Sequence, residues 1–240
     1  MHLQMPVEYL GLSMKSIVCS AIAGFFAMST AYAAPVTINF NDLSAGDIVS
    51  NQYAGVTISG QRNGAPLGLN SAMVFDSDNP TGNDPDLGAP FDNPQTIGDD
   101  NYLPGKFLII STDNNSSDPN DAAGGGVLTF LFDSAVEIVE LNAFDINGSE
   151  SIEFDFFDVN DMLITSVSNG MTTTDDNEFL NFAFGIQGVM RLVVTLSGSG
   201  AIDDLRYNVS DVPVPAALPL LLSGLAGLGF ASRRRKGKVA

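Results

Sequence analysis

The chain has one cysteine, one histidine and no tryptophan. The cysteine is Cys19 and the histidine is His2, both close to the N-terminus. From Ala34 to Asp211 there is no thiol and no imidazole. That stretch therefore has no disulfide, no cysteine nucleophile and no Ser-His-Asp triad. Zinc and haem chemistry, which draw on Cys and His, are excluded with them. Positive charge is almost as scarce. Arg62, Lys106, Arg191 and Arg206 are its only bases, facing all but one of the chain's 28 acidic residues. A nucleic-acid partner needs a basic surface to offset phosphates, so none is expected. So acidic a body either tolerates its own repulsion or binds cations. Segments with helical spacing of apolar residues are also lacking.

What is present begins with a leader. Lys15 precedes an apolar run over 17–28, and Ala31-Tyr32-Ala33 supplies a small-residue exit. That is the plan of a secretory signal peptide cut by signal peptidase after Ala33, leaving a chain that starts at Ala34. Met14-Lys15 makes a better start for it than Met1. The apolar run is too short for an uncleaved anchor. Cys19 does not mark a lipoprotein, because Ser16-Ile17-Val18 lacks a small residue just before it and the apolar run continues beyond.

The other end has three parts in order. Val212-Pro213-Val214-Pro215-Ala216 is followed by an apolar stretch to Ala231, then by Arg233, Arg234, Arg235, Lys236 and Lys238. The segment 212–231 is close to the ~20 residues a helix needs to cross about 30 Å of hydrocarbon. The basic cluster places its end in the cytoplasm and the body outside. Pro213, Pro215 and Pro219 break its start, and Gly224, Gly227 and Gly229 thin it, so 216–231 is a marginal span. A plain membrane anchor is one reading. The other is a sorting tag: the order of motif, span and basic tail resembles the PEP-CTERM family of bacterial sorting signals, nearest to its Val-Pro-Leu-Pro-Ala variant. Here Val214 stands where that variant has Leu. The resemblance implies processing by an exosortase-type membrane protease near the Pro motif, with the C-terminal helix holding the chain in the membrane beforehand. It also implies export to the cell surface or extracellular matrix.

The sequence thus divides into 1–33 as leader, 34–211 as one domain and 212–240 as sorting signal. Within the domain, short runs rich in Val, Ile, Phe and Thr are broken by Gly, Asn, Asp and Pro. Strands are expected at 36–40, 56–59, 107–111, 126–132, 136–146, 151–157, 162–168, 178–184, 189–197 and 202–207. That spacing predicts an all-β, antiparallel β-sandwich, of jelly-roll type. The segment 70–106 is polar and rich in Pro and Gly, and reads as a long ordered loop. Phe40 to Gly46 and Asn51 to Ile58 resemble the opening of many exported PEP-CTERM sandwich proteins. The stretch 72–146 is similar to a recurrent secreted-domain pattern of acidic loops and strand pairs. Ala201 to Leu205 resembles the last strand of carbohydrate-binding-module-like jelly rolls.

The acidic loops carry the candidate chemistry. Asp76, Asp78, Asp84 and Asp86 form one group, and Asp113, Asp118 and Asp121 another, each interleaved with Asn. Calcium takes roughly 6–8 oxygen ligands at about 2.3–2.6 Å, which dense Asp and Asn on Gly- and Pro-rich turns can supply. The spacing is not that of an EF-hand. The same residues also favour plain solvated turns. Resemblance to carbohydrate-binding jelly rolls, in which first and last strands lie side by side, implies a further calcium held by Asp42 and Asp203. The alternative is that Asp203 caps a turn or pairs with Arg206. Paired carboxylates could run glycoside hydrolysis, and Glu150, Glu153 and Asp155 are near each other in sequence. On a strand, however, Glu153 and Asp155 face away from Ile152, Phe154 and Phe156, as solvent-facing residues do. Sugar stacking would fall to Tyr53, Tyr102 or Tyr207. These features favour an exported, non-catalytic surface or matrix protein with a structural or adhesive role, exopolysaccharide being a candidate partner. A calcium-dependent carbohydrate-binding module is the second reading and a secreted hydrolase the third.

Overall fold

A computed structural model describes residues 34–82, 84–95, 101–169, 175 and 177–209. The leader and the sorting tail lie outside the described residues. Among those described, every element but one short 3-10 turn at Pro85–Leu87 is a β-strand, and none is a helix long and apolar enough to cross a membrane. The strands are β1 Val36–Ile38, β2 Val56–Arg62, β3 Ala72–Asp76, β4 Lys106–Ile110, β5 Gly126–Phe144, β6 Ile152–Phe157, β7 Leu163–Ser168, β8 Phe179–Leu196 and β9 Ala201–Val209. All pair antiparallel, giving the expected β-sandwich.

Two long strands build both layers. The first half of β5 pairs with β2 and with the second half of β8, which also carries β6 and then β7. The second half of β5 pairs with β9 and with the first half of β8. On its other edge β9 carries β4 at Ala201 and Ile202, and β1 at Leu205 to Tyr207. First and last strands are therefore neighbours, as the jelly-roll expectation requires. The sequence pattern suggests two strands in each of 126–146 and 178–197. Each pair is one continuous bent strand. The expected breaks fall where the chain bends, at the β5 register shifts between Leu131 and Glu140 and at Gly185 and Gly188 of β8. Those glycines have φ of +67° and +79°, a conformation that costs other residues roughly 1–2 kcal/mol.

The core follows from alternation. Ile58, Leu128, Phe130, Phe154, Leu192 and Val194 of one layer meet Ile38, Val74, Leu108, Ile138, Leu205 and Tyr207 of the other. Phe154 on β6 packs against Phe182 and Phe184 on β8 with ring centroids 4.8 and 5.0 Å apart. Each such side chain contributes about 1.5–3 kcal/mol by burial.

The segment 70–106 departs from expectation. It opens with β3, whose Ala72, Met73, Val74 and Phe75 are all fully buried. Ala72 and Val74 face the inter-layer core, while Met73 and Phe75 face a second cluster outside it. A strand buried on both faces shows no alternation, so its pattern is a short apolar run and not a half-buried strand. Its free edge is covered by hydrogen bonds with Gly46, Asp47 and Val49. The described part of 77–105 folds back over the sheet and seats Leu87, Phe91 and Tyr102 on Phe107, Ile109, Phe144 and Phe179. The long loop is thus the roof of a second core.

Candidate functional site

The strands β1, β9, β5 and β8 bring alternate polar side chains to one outer face. There they line a cleft of about 480 Å³ with Pro35, Thr37, Glu140, Asn142, Asn181, Asp204 and Arg206. Sheet register sets the rows. Asn142 lies opposite Asn181 and Glu140 opposite Arg206. Asn181 Nδ2 donates to Asn142 Oδ1 at 2.8 Å, and Asn142 Nδ2 donates to Asp204 Oδ2 at 3.2 Å. The Tyr102 hydroxyl donates to the same Asp204 oxygen. Arg206 donates to Glu140 Oε1 at 3.1 Å, and Asn208 Nδ2 to Glu137 Oε2 at 2.8 Å. Arg206 therefore pairs with Glu140 and not with Asp203.

Asp203 and Asp204 occupy the gap on the β9 edge where β4 has ended and β1 has not begun. Asp204 has φ of +50°, and the β5 ladder skips register beside it. The two residues consequently differ in fate. Asp204 reaches the cleft, whereas Asp203 is 1% exposed and neither carboxyl oxygen has a hydrogen-bond partner. Burial first, and then the charge of Asp204, push its proton affinity well above the ordinary carboxylate range. Asp42 accepts a hydrogen bond from the Tyr53 hydroxyl at 2.6 Å. Burial, that bond and the charges of Asp42 and Asp203 all push the Tyr53 hydroxyl up. Tyr102 is pushed up in the same way by burial and by Asp204. The gap is closed by Asn41, whose Nδ2 donates to Pro104 O at 2.9 Å and whose Oδ1 accepts from Lys106 N–H at 2.9 Å. Gly105 is needed there, since a Cβ would lie 2.4 Å from Asn41 Oδ1.

The two acidic loops are brought together in part. Gly82 N–H donates to Asp118 Oδ1 at 2.8 Å, Asp121 N–H to Asp84 Oδ2 at 3.0 Å, and Thr81 Oγ to Pro119 O at 2.8 Å. Asp121 Oδ2 accepts from Ser199 Oγ at 2.6 Å and Gly200 N–H at 2.7 Å. Two acids outside the loops join them. Glu150 accepts from Ser199 N–H at 3.0 Å, and Asp145 Oδ2 lies 3.4 Å from Ser199 Oγ. Burial is the main cause raising Asp84 to about 6, helped by Asp121, Asp86 and Asp118. Asp121 and Glu150 are raised for the same reason, with Asp86 adding to both. Asp76 and Asp113 instead close local turns, accepting from Asp78 N–H and Asn115 N–H. Asp78 is exposed. Among the described residues no three carboxylates are grouped as a ready cation cage.

Glu153 and Asp155 point away from the core, as the alternation of β6 indicates. Of the three tyrosines, Tyr207 is buried and Tyr53 packs edge-on against Phe40, while Tyr102 stacks on Phe144 and meets Phe179 at a tilt. The cleft row Glu140, Asn142 and Asn181 was not singled out from sequence, although polar residues inside otherwise apolar strand runs are its visible trace.

Residues 211–236 match the PEP-CTERM protein-sorting motif. The motif implies an exported chain, processed by a signal peptidase and an exosortase, that passes from a membrane-anchored form to the cell surface. No curated protein matches the chain. Among solved structures, wild-type discoidin II from Dictyostelium discoideum is similar at 10% identity and a TM-score of 0.27, over 42% of this chain and 47% of that one. The enzymatically active domain of tailspike protein 4 from bacteriophage CBA120 is similar at 12% identity and a TM-score of 0.29, over 71% of this chain and 22% of that one.

Proposed function

We propose that this protein is a non-catalytic, adhesive β-sandwich that the sorting tail delivers to the cell surface and extracellular matrix, where its outer cleft holds matrix polysaccharide. The observation that carries the reading is the row Asn181, Asn142 and Asp204, with Glu140 and Arg206 beside it, in a cleft of about 480 Å³. Fixed amide, carboxylate and guanidinium groups on rigid strands are the donors and acceptors that sugar hydroxyls match, and the volume suits a small-molecule site. Both cleft carboxylates are engaged by neighbours, Asp204 by Tyr102 and Asn142 and Glu140 by Arg206. That supports anchoring over an acid–base pair free to exchange protons. The test is retention of exopolysaccharide from the producing cells by the full chain and by Asn142→Ala. Retention by the native chain and its loss in the variant is expected. Equal retention by both would overturn the cleft as the contact surface.

A calcium-dependent form of this reading is favoured by Asp203, whose two buried oxygens have no partner. The fit is partial. Asp42 is the other expected ligand, and one of its oxygens already takes the Tyr53 hydroxyl. A calcium ion there would draw on Asp203, on the second Asp42 oxygen and on backbone carbonyls. Its chemistry would be structural, fixing the β1 and β9 edge beneath the cleft. Melting curves with calcium and with chelator test it; identical curves would remove the ion from the reading.

A further inference from the structure

We infer that the cleft is built for a saccharide carrying a free, protonated amino group, a specificity that rests on the polysaccharide reading above. The carboxylate of Asp204 fixes the polarity of the whole row. It can only accept, so Asn142 must turn its Nδ2 towards it, and Asn142 Oδ1 then faces Asn181 and takes its Nδ2. One N–H of each amide is spent inward, and the second N–H of Asn142 and of Asn181 is left over. Among the described residues, Asp204 Oδ1, Glu140 Oε2 and Asn181 Oδ1 take no hydrogen bond, so the row keeps three open acceptors, two of them on carboxylates. The remaining N–H groups of Arg206 are the counterweight, one cation beside two carboxylates.

An ammonium group carries three donors and a positive charge, the complement of those three acceptors and of the two carboxylates. A uronate would meet two cleft carboxylates and the field of a body with four bases against nearly all of the chain's 28 acids. An N-acetylated amine would offer one neutral donor in place of the charge. The cleft therefore ranks free amine above acetamide and acetamide above uronate.

Calorimetry of the full chain with a glucosamine hexamer, its fully N-acetylated form and a galacturonate hexamer tests this ranking. The native chain is expected to bind the free-amine hexamer at a saturable site at least tenfold more tightly than the acetylated one, and the galacturonate not at all. Asp204→Asn should abolish the tenfold gap. Asp133→Asn, which removes the same charge from an exposed position outside the cleft, should keep it and so exclude general attraction to an acidic protein. If Asp204→Asn does not fold, Glu140→Gln carries the same arm. A gap that survives these cleft variants, or tight galacturonate binding, overturns the inference. Binding of acetylated or acidic sugar that Asn142→Ala abolishes would leave the cleft reading standing alone. Absence of binding to all three overturns the amine inference, while exopolysaccharide retention decides the cleft reading separately.

Discussion

Arg206 and Glu140 face each other directly across the β9 and β5 ladder, 3.1 Å apart. The pair is half exposed, with 43% of the Arg206 side chain and 34% of the Glu140 side chain open to solvent. Exposed pairs of this kind contribute about 0–1 kcal/mol. Arg206→Ala should therefore melt within a few degrees of the native chain, yet strengthen retention of a free-amine polysaccharide, because it removes the one cation beside the two cleft carboxylates. Thermal denaturation and polysaccharide pull-down on the same preparation separate the two effects.

Asp203 sits at the opposite extreme, buried without a partner. In chelator, Asp203→Asn should melt above the native chain above pH 7, because the amide removes a carboxylate that burial penalises. With millimolar calcium the calcium-dependent reading predicts the reverse order. Differential scanning calorimetry under both conditions reads the outcome, and the same order in both would count against a bound ion.

The loop cluster gives the chain an acid preference. Asp84 holds its proton up to about 6, against an ordinary 3.8, so the folded chain binds more protons than the unfolded one between those values. Stability then falls as pH rises through that window, and the contribution is fully present only below about pH 4. Asp121 and Glu150 act in the same direction. Melting temperature should drop from pH 4 to pH 6, and Asp84→Asn should flatten the slope.

Phe91 belongs to the described part of the roof and touches Phe107 and Phe144 with centroids 6.1 and 4.9 Å away. Phe91→Ala should cost about 3–5 kcal/mol. Limited proteolysis should then cut within 77–105 well before the strands. A roof of plain solvated loop would be cut equally fast in both chains.

How much of this was legible in the sequence depends on how far apart the partners lie. Alternation exposed β2, β6 and β9, because one face of each meets the core and the other does not. It failed at β3, where Met73 and Phe75 are buried by the roof and Ala72 and Val74 by the opposite layer. It divided β5 and β8 at their bends, since a register shift reverses the faces. The acidic loops were visible as composition, but the union of Asp84 with Asp121 and the entry of Asp145 and Glu150 needed the tertiary fold. The cleft was hidden for a related reason. Asn142, Asn181 and Asp204 come from three strands, and only register places them in one row.

The central place of β9 has a mechanical consequence. It is laddered to β5 along its length and to β4 and β1 on its other edge, and it is the last described strand before the sorting segment. On the polysaccharide reading proposed above, a pull on the cleft of the anchored chain loads β9, an inner strand of the sheet. That load is carried by the ladder to β5 on one side and by those to β4 and β1 on the other.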